Sequence, residues 1–230
     1  MFALISGVGT GSLAWSFNDD IADGAGPVSS RMSSIAPTLP ANIPQRPSLA
    51  RRVVGRLGLG LLGWRVEGNV PDAARIVIIV APHTSNWDFV IGFLTYLAMQ
   101  LDTTWFGKHS LFWWPVGSVF RYFGGIPIER SRSANVVDNY VAEFNKRDRM
   151  VLALAPEGTR RHVREWKTGF YHIAVGARAV IVPVALDYSA RRVRFMAPLT
   201  PSGHADADVA VLRRRFNASM ARNPAGYADA

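Results

Sequence analysis

The sequence contains no cysteine and very little lysine. None of its 230 residues is cysteine, so disulfides, thiolate metal sites and a cysteine nucleophile are excluded. Lysine occurs three times, and the other 23 of the 26 basic residues are arginine. No run of about 20 mostly apolar residues, the length that a membrane-spanning helix needs, is present. A G-x-S-x-G nucleophile elbow is missing as well.

The charges that are present are unbalanced. The 26 basic residues face 17 acidic ones, and the net charge of +9 favours anionic partners such as nucleic acid, phospholipid or phosphorylated small molecules. Stretches 105–115 and 120–123 mix aromatic rings with cations, which fits either a protein resting on a bilayer or an ordinary aromatic core. A basic, leucine-rich amphipathic helix is predicted at 48–62, with Ser48 as its N-cap; it suits an interfacial anchor or a packing helix.

The chain divides into a tail and one domain. Residues 1–47 are rich in Gly, Ser, Pro and Ala, and we predict a flexible, disordered tail there. From residue 48 to 230 strand and helix patterns alternate, which predicts an α/β domain with a mostly parallel sheet flanked by helices. The run 76–80 is typical of a strand buried on both faces. The other predicted strands are 64–68, 103–106, 150–155, 180–186 and, at a sheet edge, 193–196; the predicted helices after residue 62 are 87–99, 116–123, 134–146, 168–176 and 206–220.

A histidine and an aspartate follow the strand 76–80 directly. The segment 82–88 reads Pro-His-Thr-Ser-Asn-Trp-Asp. His83 can act as a general base, and Asp88 can fix its tautomer and stabilise the imidazolium. Five steps of regular helix would rotate the two side chains apart by about 140°. The pair therefore requires His83 in the loop and Asp88 in the first turn of the next helix; a loop histidine beside a capping aspartate is the alternative.

Two further stretches carry residue types that bind phosphate. The segment 156–160, Pro-Glu-Gly-Thr-Arg, follows the strand 150–155. Glycine lets a ligand approach the backbone, threonine and arginine bind phosphate, and the glutamate can orient the arginine or the acceptor. In the segment 124–130 an arginine follows a glycine turn and a short apolar stretch. A turn with an exposed ion pair, and a helix stop followed by a strand, are the simpler interpretations.

As an ordered set these motifs are specific. H-x-x-x-x-D at 83–88, G-x-x-x-I-x-R at 124–130, P-E-G-T-R at 156–160 and V-P-V at 182–184 resemble the PlsC-like glycerolipid acyltransferase family over about residues 48–196. The Lys-Thr-Gly at 167–169 also fits the family's Lys-x-Gly. Three residues depart from the usual pattern, without removing a catalytic group: Ala155, Arg161 and the variant Trp87.

The resemblance implies a PlsC-like fold and an O-acyltransferase. It would move a fatty acyl group from acyl-CoA or acyl carrier protein to the hydroxyl of 1-acylglycerol-3-phosphate, giving phosphatidic acid, with His83 as general base and Asp88 as its orienting partner. The implied phosphate-binding residues are Lys108, Arg130, Glu157, Gly158, Thr159 and Arg160, with Asn86 and Lys167 as further candidates. Neither a cofactor nor a metal is implied. The family also implies a peripheral or monotopic protein at the cytoplasmic face of the membrane, in contact with membrane lipids.

Other functions stay open beside this one. The alternative acceptors are another lysophospholipid, an aminolipid and a secondary-metabolite hydroxyl. A basic nucleic-acid-binding protein is the non-enzyme alternative, but the arginines are scattered and the aromatics lie in apolar runs, so no nucleic acid partner is expected. A metal hydrolase built on His83, Asp88 and His109 matches no ligand signature. An inactive membrane-binding relative would not need the histidine–aspartate pair.

Overall fold

The computed structural model describes residues 35–108, 112–128 and 136–230. Seven strands of these residues form one sheet. They are β1 (Arg65–Gly68), β2 (Arg75–Ala81), β3 (Thr103–Lys108), β4 (Gly125–Ile128), β5 (Met150–Leu154), β6 (Val180–Asp187) and β7 (Arg192–Phe195). The helices are α1 (Leu49–Leu61), α2 (Trp87–Met99), α3 (Val116–Tyr122), α4 (Val136–Asn145), α5 (Gly169–Ala177) and α6 (Ala205–Arg213), followed by short 3-10 helices at Ala218–Met220 and Pro224–Gly226.

The sheet is mostly parallel, as predicted. Its order is β1-β7-β6-β2-β5-β3-β4, and the five strands from β6 to β4 all run in the same direction. Only β7 runs antiparallel to its neighbour β6, while β1 pairs in parallel with β7. Parallel strands of this kind require crossover connections, which the helices supply. The carboxyl ends of five adjacent strands therefore meet at one edge of the sheet.

The central strand β2 is buried on both faces, and its residues divide between two cores. Val77 and Ile79 pack with α4, α5 and α6 in one apolar cluster, whereas Ile76 and Ile78 pack with α1 and α2 in the other. This division follows from the alternation of side chains along a strand. The β-branched run contains no polar residue because neither face of β2 meets water.

Helices α1 and α2 cross at close range. Ser48 caps α1, as predicted: its hydroxyl accepts a hydrogen bond from Arg51 N at 3.4 Å. A Cβ at Gly55 would overlap the backbone of Ala98 in α2, so only glycine allows this approach. The opposite face of α1 leaves an apolar strip exposed, consisting of Leu49, Val53, Val54, Leu57 and Leu61. None of the helices in the described ranges is long and apolar enough to cross a membrane.

Three details differ from the sequence-based expectations. Residues 35–47, which we assigned to the tail, pack on the domain: Ile43 is 1% exposed and Gln45 forms a β-bridge with Leu101. Residues 1–34 lie outside the described residues, so the tail stays a prediction there. The strand β7 is not at an edge, since β1 covers it. The last helix ends at Arg213 instead of continuing to 220, and a separate 3-10 turn, Ala218–Met220, follows.

Candidate active site

The predicted site residues gather at the carboxyl edge of the parallel strands. His83 follows β2, and Glu157 follows the neighbouring β5. Ligand sites of open α/β sheets form at this edge. Lys108 is the last residue of β3, but its side chain is not among those described. Arg130 lies outside the described residues, two positions after the end of β4.

His83 and Asp88 lie within hydrogen-bonding distance of each other. The Nδ1 atom of His83 is 3.2 Å from Asp88 Oδ2. This is possible because α2 begins at Trp87, so His83 lies in the loop and Asp88 in the first turn. A carboxylate only accepts hydrogen bonds, so the neutral imidazole carries its proton on Nδ1 and keeps a lone pair on Nε2. The His83 side chain is 20% exposed and can be reached by a substrate.

Asp88 is buried and held by several donors. The backbone N–H groups of Thr84 and Ser85 both donate to Oδ2 at 2.8 Å, and the hydroxyl of Tyr188 donates to Oδ1 at 2.7 Å. Burial by itself would raise the pKa of Asp88, but the hydrogen bonds from His83, Tyr188 and Ser85 outweigh it and hold the pKa below its ordinary value. Asp88 is therefore ionised at neutral pH and can stabilise an imidazolium.

Glu157 supports the loop that carries His83. Its Oε1 accepts a hydrogen bond from the backbone N–H of His83 at 2.8 Å. The residue is 2% exposed, and its Oε2 has no hydrogen-bond partner among the described residues. Burial, with a smaller contribution from the charge of Asp88, raises the pKa of Glu157. The structure shows Glu157 supporting the loop that carries His83, because β5 ends beside β2; the role that we expected of it, orienting an arginine or the acceptor, stays a prediction.

The Gly158 turn brings a lysine to the loop after β5. Gly158 has a φ of +67°, and the Cδ, Cε and Nζ atoms of Lys167 lie 3.0–3.1 Å from the position a Cβ would take there. Thr159 Oγ1 accepts a hydrogen bond from the backbone of Arg161 at 3.3 Å. Arg160 is exposed and makes no hydrogen bond or ion pair with the described residues, so its guanidinium is available to an anion.

Asn86, a further candidate for substrate binding, keeps that role as a prediction. It is exposed at the start of α2, and its side chain makes no capping bond. Ser85 makes the capping bond instead, because its Oγ accepts a hydrogen bond from Trp87 N at 3.2 Å. The metal-hydrolase alternative also needs His109, which lies outside the described residues. Within the described ranges, no three His, Cys, Asp or Glu side chains are grouped to hold a metal ion.

A segment near residue 220 also holds the His83 loop, and the sequence analysis missed it. The backbone N–H of Asn223 donates to Thr84 Oγ1 at 3.2 Å, and its side-chain amide donates to the carbonyl of Thr84 at 3.0 Å. The Arg222 guanidinium lies 5.3 Å from the ring centroid of Trp87. No local pattern points to these contacts. Tyr188, by contrast, lies two residues after the end of the predicted strand 180–186, close enough for the strand-end rule that selected the other residues to point to it.

A groove runs along the side of the site that faces Tyr188. Its volume is about 680 Å³, and it combines apolar walls with two arginines. The lining residues are Leu61, Leu62, Trp64, Trp87, Ile91, Tyr188, Arg191, Arg222 and Asn223.

Comparison with known proteins shows the family of the chain. The profile described as Acyltransferase matches residues 64–187, more than half of the chain. The chain belongs to the acyltransferase family. The matched stretch contains the His83–Asp88 pair and the loop 156–160, whereas Tyr188 lies one residue beyond its end and Asn223 lies 36 residues beyond it.

Several relatives of this acyltransferase are named for one activity. The 1-acyl-sn-glycerol-3-phosphate acyltransferase of Salmonella typhimurium is 33% identical over 148 residues, which cover 60% of this chain and 59% of that protein. The Escherichia coli protein of the same name is 32% identical over 149 residues, with the same coverage of both chains. The human 1-acyl-sn-glycerol-3-phosphate acyltransferase alpha is 26% identical over 168 residues, covering 62% of this chain and 56% of its own. The acyltransferase thus matches less than two thirds of each relative.

A solved structure shares the fold. The crystal structure of the 1-acyl-sn-glycerophosphate (LPA) acyltransferase PlsC from Thermotoga maritima superposes with a TM-score of 0.53 at 17% sequence identity. The superposition covers 70% of this chain and 72% of that one. The acyltransferase therefore has a PlsC-like fold.

Proposed function

We propose that this protein transfers a fatty acyl group from an acyl thioester to the free hydroxyl of 1-acylglycerol-3-phosphate and so makes phosphatidic acid. The observation that carries the proposal is the His83–Asp88 pair, 3.2 Å apart at the carboxyl edge of a parallel sheet. The names of the relatives at about a third identity support the choice of acceptor.

The pair performs general base catalysis. His83 Nε2 removes the proton from the acceptor hydroxyl while the oxygen attacks the carbonyl carbon of the thioester. The new C–O bond forms, the C–S bond breaks, and the imidazolium returns the proton to the leaving thiolate. Asp88 stabilises the imidazolium in between. Base catalysis of this kind accelerates a reaction by roughly 10² to 10⁴. Direct attack needs no acyl-enzyme, in keeping with a chain that has no cysteine.

The acceptor's phosphate binds near the loop 156–160. Arg160 offers a guanidinium that has no partner among the described residues, and the side chain of Lys167 lies against Gly158 of this loop. We propose that Lys108, Arg130, Gly158 and Thr159 share this task, since their strands end at the same edge of the sheet. We do not include Glu157, whose carboxylate is buried under His83.

The donor and the location follow from the same proposal. The donor is acyl-CoA or acyl carrier protein, and we propose that the protein acts as a peripheral or monotopic protein at the cytoplasmic face of the membrane. The exposed apolar strip of α1 and the exposed Trp113 and Trp114 support contact with a lipid surface.

The test is thiol release from an acyl-CoA, with and without 1-acylglycerol-3-phosphate. Because the chain has no cysteine, every thiol that a colorimetric reagent detects comes from the donor. We expect release to require the acceptor and to fall about 100-fold or more in His83→Ala. The matched control is His172→Ala, which removes an exposed histidine of α5 and should keep the full rate. A His83→Ala protein as active as wild type overturns the proposal.

The departures at Ala155 and Arg161 make a different acceptor the second candidate. Lysophospholipids without a phosphate monoester, offered in competition with 1-acylglycerol-3-phosphate, separate the two. Preference for the monoester, together with a higher KM for it in Arg160→Ala, supports phosphatidic acid synthesis. Equal use of both acceptors supports the alternative.

A further inference from the structure

A tyrosine beyond the family-matched stretch completes the hydrogen bonding of Asp88. Tyr188 follows β6 directly and lies one residue past the matched stretch 64–187. Its hydroxyl donates to Asp88 Oδ1 at 2.7 Å across 100 residues of sequence. Among the described residues it is the sole donor to that oxygen, because two backbone N–H groups and the imidazole all face Oδ2.

The position of the Tyr188 ring is fixed from several sides. Trp64 packs against it edge to face, with ring centroids 4.8 Å apart. The guanidinium of Arg222 lies 5.7 Å from the centroid of the Tyr188 ring, and the backbone N–H of Tyr188 donates to Met220 O at 2.9 Å. The hydroxyl therefore reaches Asp88 from a rigid ring, not from a mobile side chain.

This bond determines how the carboxylate is turned. A carboxylate can rotate about its Cβ–Cγ bond, and hydrogen-bond donors that contact only one of its oxygens restrict this rotation only in part. A second donor on Oδ1 opposes the rotation, so that Oδ2 faces His83 Nδ1. The charged and titratable groups around this set are Glu157, under the His83 backbone, and Arg222, over Tyr188.

We propose that Tyr188 is a positioning residue: by fixing the carboxylate of Asp88, it keeps the proton of neutral His83 on Nδ1 and leaves Nε2 free to take the acceptor's proton. The catalytic consequence rests on the proposed function. The effect of Tyr188 on the tautomer of His83 does not depend on the proposed function, because it is observable in the protein without substrate.

The test variant is Tyr188→Phe, which keeps the ring against Trp64 and the wall of the groove but removes the hydroxyl. The chain offers a matched control in Tyr171→Phe. That substitution removes a comparable bond, 2.8 Å from Tyr171 Oη to Asp208 Oδ2, on α5 and α6 away from the site. Unfolding midpoints of both variants reveal any general loss of stability.

The first readout is the tautomer of His83, measured by 15N NMR of the imidazole nitrogens in the neutral ring. The His83 signals are those that disappear in His83→Ala. We expect wild type and Tyr171→Phe to carry the proton on Nδ1. In Tyr188→Phe the proton should distribute over both nitrogens, because the hydrogen bond to the partner sets the tautomer.

The second readout is steady-state kinetics. We expect kcat of Tyr188→Phe to fall roughly ten- to hundredfold, the scale of one hydrogen bond to a charged group, with KM for both substrates unchanged. Tyr171→Phe should keep the wild-type kcat. A merely structural loss would lower the midpoints of both variants alike and leave the tautomer in place.

Two results overturn the proposal. One is a Tyr188→Phe protein with the wild-type tautomer; the other is an unchanged kcat in an enzyme that requires His83. If instead no acceptor is acylated, or His83→Ala retains the full rate, the proposed function fails. The tautomer measurement then still decides whether Tyr188 fixes Asp88.

Discussion

Replacing Asp88 by asparagine removes the charge at the centre of the site and barely changes the size of the side chain. The carboxylate is 3% exposed and accepts hydrogen bonds from Thr84 N, Ser85 N and Tyr188 Oη at 2.7–2.8 Å. A hydrogen bond to a charged group contributes about 1.5–3 kcal/mol and a neutral one about 0.5–1.5. In Asp88→Asn the amide oxygen can accept from Thr84 N and Ser85 N while the NH2 group donates to Tyr188 Oη, which then acts as the acceptor. Each bond thus persists as a neutral one that is weaker by about 1 kcal/mol, and relief of the burial cost offsets part of this. We expect the free energy of unfolding to fall by about 2 kcal/mol at pH 7.

The size of this loss should depend on pH. The pKa of Asp88 lies below its ordinary value, because hydrogen bonds from His83, Tyr188 and Ser85 outweigh the opposing effect of burial. The stability gained from the charge is therefore fully present above the pKa of an unfolded aspartate, about 3.9, and is lost as the pH falls through the lower folded value. The difference in unfolding free energy between wild type and Asp88→Asn should shrink below about pH 4.

Urea unfolding followed by tryptophan fluorescence at pH 7 and at acidic pH measures this difference, and thiol release measures the rate. The control is Asp208→Asn, another aspartate whose pKa is lowered, by a backbone hydrogen bond from Ser202 and by Tyr171. We expect both variants to lose stability at pH 7 and only Asp88→Asn to lose activity. A stability difference that persists at acidic pH would refute the electrostatic argument. Full activity in Asp88→Asn would refute the orienting role.

Three further predictions concern the surroundings of the site. Burial raises the pKa of Glu157, so its ionisation lowers the stability of the wild type as the pH rises from the ordinary pKa of a glutamate to the raised pKa in the folded protein. Glu157→Gln carries no such charge and keeps an acceptor for the loop N–H. In urea unfolding at pH 8 it should be at least as stable as wild type. Asn223→Ala removes a side-chain hydrogen bond to the His83 loop and should lower the unfolding free energy by about 1 kcal/mol. The fraction of kcat that is lost should exceed the fraction of the unfolding free energy that is lost. Gly55→Ala forces a Cβ into the backbone of α2 and should lower the free energy of unfolding by about 1–3 kcal/mol. In the control Gly92→Ala the new Cβ meets nothing within 4 Å, so the thermal midpoint should stay unchanged or rise.

Local patterns were sufficient for most elements of the fold. The helix predicted at 87–99 has those bounds in the structure, because an apolar stretch of helical length follows a polar loop and ends before a residue in the left-handed region, Gln100. The strand β2 was predicted from its unbroken β-branched run. Residues 35–47 were misjudged because composition reports the average and misses single anchors, such as Ala36 and Ile43, which fill a core built from distant elements.

Non-local pairing explains the other differences. No pattern in the sequence shows that β1 joins the sheet beside β7, with Val66 opposite Val193, so β7 was taken for an edge. The same holds within the site. The His83–Asp88 geometry follows from six consecutive residues, whereas the contacts of Asp88 with Tyr188 and of Thr84 with Asn223 join positions 100 and 139 residues apart.

The contact between Thr84 and Asn223 also bears on the order in which the protein matures during synthesis. Asn223 is the 139th residue that the ribosome adds after Thr84. At a translation speed of 5–20 residues per second, this interval lasts roughly 7–28 s. During this interval β5 and β6 are added and pair with β2, but the loop between β2 and α2 still lacks the amide that later pins its backbone. The nascent chain therefore acquires its central sheet before the last contact that holds the His83 loop.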